Sequence, residues 1–473
     1  MLLLWLCIEV CPTNSLRMTP LYKLIEEKNL NEIAWRRIYS NSPFIIHDSK
    51  PSQVFYFMAY NQIMKAIAAI LFAFIMFSAV ATDISNFTNL NKLNEAGREL
   101  QTGHFIVQWE KSYGKLWWWS ARYEGPQPVG DADNDGLNEL LIGGRDPFLR
   151  VMKWNGETYV EKKLIDPVFG IGYGIWIRIG KEWYRFPQPF GSATGFAIGD
   201  ADNDGLNEIC VAWGRHLTAY KWNGKKYEIM GRYIVIGKDE GGTTLDCIIG
   251  DADNDGLNEV VVTGGYERTS SLIVLKWNGN EFVKEAEWGS RSIYFPWIAD
   301  ADNDGKNEVI VGHGRELTVL KWSGNEFTSY AIDKFPDQVF GCVTKDSNGD
   351  GINEIHVTFW APRLCIYRFN GSKYEKIFDK TWNGEEATIE AIDVGDVDND
   401  GLPEVAVGTN YIHILQWNGS GYEEEYVINE TYGLLAVTCI GDMDNDGKNE
   451  INAGAVGVRG NEDYKAWIFK YVE

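Results

Sequence analysis

Nine residues, DADNDGLNE at 131–139, place carboxylates at alternating positions: Asp131, Asp133, Asp135 and, last in the stretch, Glu139. Like charges this close raise one another's energy, so such a stretch needs a cation among them. Alternating oxygen ligands followed by a glycine-forced turn are the pattern of a calcium loop, since Ca²⁺ takes six to eight oxygens in flexible geometry. The side chains at positions 1, 3 and 5 converge as the loop curls, Gly136 permits the turn, Leu137 offers its backbone carbonyl, and Glu139 closes the cage.

The pattern returns six more times. The second loop has Asp200, Asp202, Asp204, Leu206 and Glu208, and the third Asp251, Asp253, Asp255, Leu257 and Glu259. The fourth has Asp300, Asp302, Asp304, Lys306 and Glu308. In the fifth, Asn348 stands between Asp346 and Asp350, with Ile352 and Glu354 following. The sixth has Asp396, Asp398, Asp400, Leu402 and Glu404, and the seventh Asp442, Asp444, Asp446, Lys448 and Glu450. Polar turns favour Asp, Asn and Gly, but turn chemistry does not ask for an acid at position 9 every time. Seven Ca²⁺ ions are therefore expected, and they would take the formal net charge of −23 to −9. The acidity belongs to these loops, and a chain this acidic lacks the clustered Lys and Arg that nucleic-acid binding needs.

What positions the loops is equally regular. Successive loops start 69, 51, 49, 46, 50 and 46 residues apart. Each unit reads as an apolar run, the acidic loop, a second apolar run, a turn, a third run ending in an aromatic, Asn-Gly, and a fourth run starting with Tyr or Phe. The aromatics are Trp154, Trp222, Trp277, Trp322, Phe369, Trp417 and Tyr471, expected to pack between adjacent sheets. Asn-Gly between alternating runs predicts a two-residue hairpin with positive φ at both central residues. Four strands in about 50 residues make a propeller blade, so the fold is all-β, a seven-bladed β-propeller of four-stranded antiparallel blades. The last unit ends after its third strand, and the run Tyr113–Tyr123 is expected to supply the missing one, which would leave no open sheet edge.

The G-D-x-D-x-D-G-x-x-E motif between the first two strands of a blade resembles FG-GAP and VCBS-type repeats, and the integrin α-subunit propeller has similar calcium loops. The resemblance covers residues 104–473 and implies a propeller fold with calcium, without implying a ligand. Phe190-Gly191 and Phe340-Gly341 occur, but no Gly-Ala-Pro follows them.

Residues 64–81 combine Lys65, an apolar core and Ala79-Val80-Ala81, which is a secretory signal peptide beginning at Met64. A membrane anchor is the alternative reading. On this reading residues 1–63 are an over-extended gene model, 82–102 a leader and 103–473 the propeller, secreted or cell-surface attached; a membrane contact follows only if 64–81 is retained. The five cysteines from Cys210 onward sit in apolar runs and are expected as buried single thiols.

The loops joining second to third strands lie on the face opposite the acidic loops. They bring Arg145, Arg215, Arg268, Arg315, Arg363 and Arg459, with Trp213, Tyr266, His313 and Trp360 nearby. Arginine beside aromatics suits a recognition surface for a glycan or protein; the competing reading is that each Arg pairs with a neighbouring blade. No carboxylate pair outside the loops has a spacing that singles it out as catalytic, and no G-x-S-x-G or H-E-x-x-H occurs. The sequence therefore favours a calcium-stabilised binding module with no catalytic residues assigned. A polysaccharide lyase or glycosidase and a structural envelope protein are the competing functions.

Overall fold

The computed structural model describes residues 105–472, apart from 117–119, 122, 124, 170–174, 180–181, 187–189, 238–241, 265–268, 292, 389–391 and 430. The segments read as signal peptide and leader, and the candidate ligand residues Tyr266 and Arg268, lie outside the described residues.

Seven four-stranded antiparallel sheets follow one another as blades. Blade 1 comprises Val129–Gly130, Glu139–Ile142, Leu149–Trp154 and Tyr159–Leu164. Blade 2 comprises Ala193–Gly199, Glu208–Trp213, His216–Trp222 and Tyr227–Ile234. Blade 3 runs from Thr244–Gly250 to Phe282–Arg291, blade 4 from Trp297–Ala299 to Phe327–Lys334, and blade 5 from Val339–Lys345 to Tyr374–Thr381. Blade 6 comprises Ile392–Gly395, Glu404–Gly408, Ile412–Trp417 and Tyr422–Ile428. Second strands such as Glu259–Gly264 are buried along their whole length, because both faces pack against neighbouring blades. Fourth strands such as Tyr422–Ile428 mix exposed and buried residues, as an outer edge must.

Blade 7 takes Leu434–Gly441, Glu450–Gly457 and Lys465–Tyr471 from the end of the chain and Phe105–Ser112 from its beginning. Closure by an N-terminal strand is as expected, but the strand is Phe105–Ser112, not Tyr113–Tyr123. The reason is the aromatic pair that opens every fourth strand. Trp154 lies 4.9 Å from Tyr159, Trp222 4.8 Å from Tyr227, and Trp417 5.0 Å from Tyr422. Tyr471 needs the same partner, and Phe105 supplies it at 5.3 Å, directly opposite in register. Beyond Ser112 the Tyr113 N–H donates to the Tyr464 carbonyl, and the chain then turns inward. Ala121 and Tyr123 join a buried cluster with Tyr294, Phe295 and Phe340, and Asn452 Nδ2 donates to the Tyr123 hydroxyl at 3.1 Å.

The Asn-Gly turns also differ from expectation. Gly156 has φ 95°, but Asn155 is not left-handed. Its Oδ1 accepts the N–H groups of Glu157 and Thr158, and its own N–H donates to the Thr158 carbonyl. The side chain thus holds a four-residue loop, so only the glycine needs positive φ. The aromatics do pack between blades: Gly231 of blade 2 lies so near Trp277 of blade 3 that a Cβ would come within 2.9 Å of the ring. All five described cysteines are buried and unpaired by disulfides. A separate two-stranded hairpin pairs Ile175–Ile179 with Glu182–Phe186.

Candidate metal centres and the opposite face

In each blade the acidic loop joins the first strand to the second. Asp131 accepts the N–H groups of Asp135 at 3.0 Å and Gly136 at 2.8 Å, and Asp135 accepts that of Leu137 at 3.1 Å. These bonds curl the loop. Glu139 divides its labour: Oε2 accepts the Ala132 N–H at 2.9 Å, while the buried Oε1 faces the Lys153 ammonium at 2.8 Å. The same position-9 bond recurs in all seven loops, from Glu208 to Ala201, Glu259 to Ala252, Glu308 to Ala301, Glu354 to Ser347, Glu404 to Val397 and Glu450 to Met443. Position 9 therefore has a structural role besides any metal, which no spacing argument revealed.

The carboxylates converge as expected. One oxygen from each of Asp131, Asp133 and Asp135 lies within 4.8 Å of the others, and likewise for Asp200, Asp202 and Glu208, for Asp251, Asp253 and Glu259, for Asp300, Asp302 and Asp304, and for Asp396, Asp398 and Glu404. Asp202, Asp302 and Asp396 each bury an Oδ1 without a hydrogen-bond donor. Buried oxygens without donors are costly, and a hard cation that takes carboxylates satisfies them, so the residues fit the metal. Leu137, Leu206, Leu257 and Leu402 turn their side chains to solvent, which leaves a carbonyl as their only ligand atom. Burial raises the position-9 acids: Glu259 and Glu450 to about 7, Glu404 to about 8.

Two features of the site escaped the sequence reading. The first is a cation inside the cage. The residue before each blade's aromatic faces position 9 across the strands, as Lys153 faces Glu139 and Lys470 faces Glu450. Lys153 Nζ lies 2.9 Å from Asp133, 2.6 Å from Asp135 and 2.8 Å from Glu139. Lys221, Lys276, Lys321 and Lys470 repeat this, and Arg368 reaches Asp350 at 2.7 Å. Burial disfavours charge on these amines, yet their carboxylate partners raise Lys153 and Lys221 well above the ordinary range. The recurring Lys-Trp pair was the available signal.

The second feature is a clasp between successive loops. Asn134, at position 4, donates to the Asn207 carbonyl at 3.0 Å and accepts the Asn207 N–H at 2.8 Å. Asn207, at position 8 of the next loop, donates its amide to the Asp131 carbonyl at 2.8 Å. The junction from blade 7 back to blade 1 is tied the same way, by Asn445 and Asn138. Six of the seven junctions carry the clasp. Asn at position 4 is left-handed each time, at φ 57–63°, which asparagine tolerates better than most residues. Between blades 5 and 6 both partners are lost together: Gly349 has no side-chain amide and Pro403 no N–H.

On the opposite face the arginines do not share one role. Arg363 grips Asp379 of its own blade with two bonds, at 2.8 and 2.5 Å. Arg459 of blade 7 pairs with Glu386, between blades 5 and 6. Arg215 donates to the Gly237 carbonyl at 2.5 Å, the backbone carbonyl of Arg145 accepts the Ser192 hydroxyl at 2.9 Å, and Arg315 is exposed. Trp213 must be removed from the candidate ligand face: it is wholly buried among Leu149, Val211 and Tyr220, because its strand continues the interblade core. His313 is half-buried, with Nε2 2.8 Å from the Thr318 hydroxyl. Trp360 is 59% exposed and lies over Phe340 with ring centres 5.3 Å apart.

The fold and loops define a class, a seven-bladed β-propeller with an acidic loop in every blade. Residues 346–407 and 396–451 match the FG-GAP-like repeat family, so the chain carries FG-GAP-like repeats across blades 5 to 7. Solved structures share the propeller fold. One is the crystal structure of BBS1N in complex with ARL6DN, soaked with lead, at TM-score 0.51 and 11% identity, covering 78% of this chain and 97% of that one. The form soaked with mercury gives TM-score 0.50 and 12% identity over the same shares. No curated protein matches the chain. At these identities the structural likeness concerns the fold alone.

Proposed function

We propose that the chain is a calcium-stabilised propeller that binds a glycan or protein ligand on the face opposite its acidic loops, and that it works secreted or attached to the cell surface. The observation that carries the metal half is the convergence of carboxylate oxygens to within 4.8 Å of one another in loop after loop, with buried Oδ1 atoms of Asp202, Asp302 and Asp396 that no donor reaches. Asp131, Asp133, Asp135 and Glu139, with the Leu137 carbonyl, would hold the first ion, and the same positions would serve the other loops. Each ion would neutralise its acids and tie the first strand of a blade to the second. The ligand half rests on Arg315 and Trp360, which stand exposed on a face where Arg215, Arg363 and Arg459 are occupied structurally.

The test is a screen of the chain in calcium against glycan and polysaccharide arrays, with reaction mixtures checked for cleavage. Binding lost in Arg315→Ala or Trp360→Ala places a carbohydrate site there. Cleaved chains would replace this reading with an enzymatic one. A clean negative would exclude glycans and leave protein ligands.

A further inference from the structure

Resting on the calcium reading, we infer that the seven cages are unequal: the loop of blade 6 is the tightest calcium site and that of blade 5 the weakest. The argument is one of charge. Five cages set four carboxylates against one lysine ammonium lodged among them, at Lys153, Lys221, Lys276, Lys321 and Lys470. An incoming Ca²⁺ must displace that ammonium or share its oxygens. Blade 5 combines three carboxylates with Arg368, and Asn348 Nδ2 already donates to Glu354 Oε1 at 2.8 Å, so its cage is both less negative and internally bonded. Blade 6 is the reverse case. Gln416 stands opposite Glu404 where its siblings have Lys or Arg. Its amide donates to Glu404 Oε1 at 3.1 Å and brings no charge. Asp396, Asp398, Asp400 and Glu404 thus face one another with no cation within ion-pairing distance among the described residues, and Asp396 Oδ1 is buried without a donor. Blade 3 ranks next, since Glu285 lies 3.8 Å from Lys276 and returns part of the negative charge.

The two exceptional loops are neighbours, and the missing clasp lies between them. A Cβ at Gly349 would stand at van der Waals distance from the Pro403 ring and the Leu402 side chain of the blade 6 loop. This junction alone has no asparagine clasp to order its loops before metal arrives. Calcium in the blade 6 loop therefore orders the one loop junction that lacks the asparagine clasp.

The experiment is calorimetric titration of the chelator-stripped full chain with Ca²⁺, with hydrogen exchange followed on the 396–404 loop. One equivalent binds first, at least tenfold more tightly than the remainder, and exchange of the blade 6 loop slows with that equivalent. Gln416→Lys, which copies the chemistry of five siblings at a position that tolerates it, abolishes the separate tight phase. Lys470→Gln creates a second one. A single phase for all ions, or a tight phase untouched by Gln416→Lys, overturns the ranking while leaving calcium binding intact. No binding at any concentration overturns the calcium reading itself.

Discussion

The two faces of the propeller repeat differently. On the acidic face the same residue type does the same thing in blade after blade: position 1 curls the loop, position 9 caps position 2, and Asn reaches the next loop. On the opposite face Arg recurs but its partners do not. Arg363 holds a carboxylate of its own blade, Arg459 a distant one, and Arg215 a carbonyl. Uniform contacts mark a scaffold, because every blade must meet its neighbour alike. Varied contacts around recurring residue types mark a face on which the blades are free to diverge.

Metal removal should disturb the acidic face most. Each ion at a hundredfold excess over its Kd contributes about 2.7 kcal/mol, so chelation should lower the melting temperature sharply; an unchanged value would refute the calcium assignment. The pH dependence sharpens this. In the metal-free protein Glu259 and Glu450 sit at about 7 and Glu404 at about 8, against an ordinary 4.5. The folded state then holds protons that the unfolded state has released between pH 4.5 and about 8, so metal-free stability falls as pH rises through that window. With Ca²⁺ the acids are ionised by the metal, and the fall should flatten or reverse. Melting curves at pH 5.5 and 8, with and without calcium, read both slopes.

The clasp comes next in size. Asn134→Gly keeps the left-handed backbone and removes two hydrogen bonds, copying Gly349. It should cost about 1–3 kcal/mol in denaturant unfolding. The converse change is Gly349→Asn with Pro403→Asn, which would install the clasp at the open seam. Neither single change supplies both partners, so a double-mutant cycle should show a favourable coupling of about 1 kcal/mol. Additive singles would mean that the loops there stand too far apart to be tied.

The fold was legible because its periodicity is strong. Strand order, loop placement and closure follow from apolar runs at a fixed spacing. The closing strand was misplaced by a run of aromatics at 113–123, although Tyr471 lacked a partner and Phe105 was available. The acidic oxygens were legible from spacing, since alternate residues of a curled loop converge. The in-cage lysines were not, because only the strand register brings Lys153 opposite Glu139. The clasp was hidden too: it joins residues 73 apart, and Asn at positions 4 and 8 reads locally as ordinary turn chemistry. Trp213 shows the limit of inferring exposure from loop proximity, since a residue at the end of a second strand still lies in the interblade core.

The smallest effect decides what the opposite face is for. Arg315 is exposed on the tight turn between its second and third strands, and its backbone carbonyl, not its side chain, accepts the Phe335 N–H. That bond survives truncation, so Arg315→Ala should change stability by no more than about 0.5 kcal/mol, the range of ordinary surface substitutions. Arg363→Ala, by contrast, removes two bonds from Asp379, whose carboxyl Arg363 holds at about 2, and leaves it Lys376 at 3.0 Å, so it should cost more. If both arginines cost the same, the face is a second structural belt like the clasp. If Arg363 alone matters to stability, Arg315 is held at the surface by no internal contact, and what selects it must come from outside the chain.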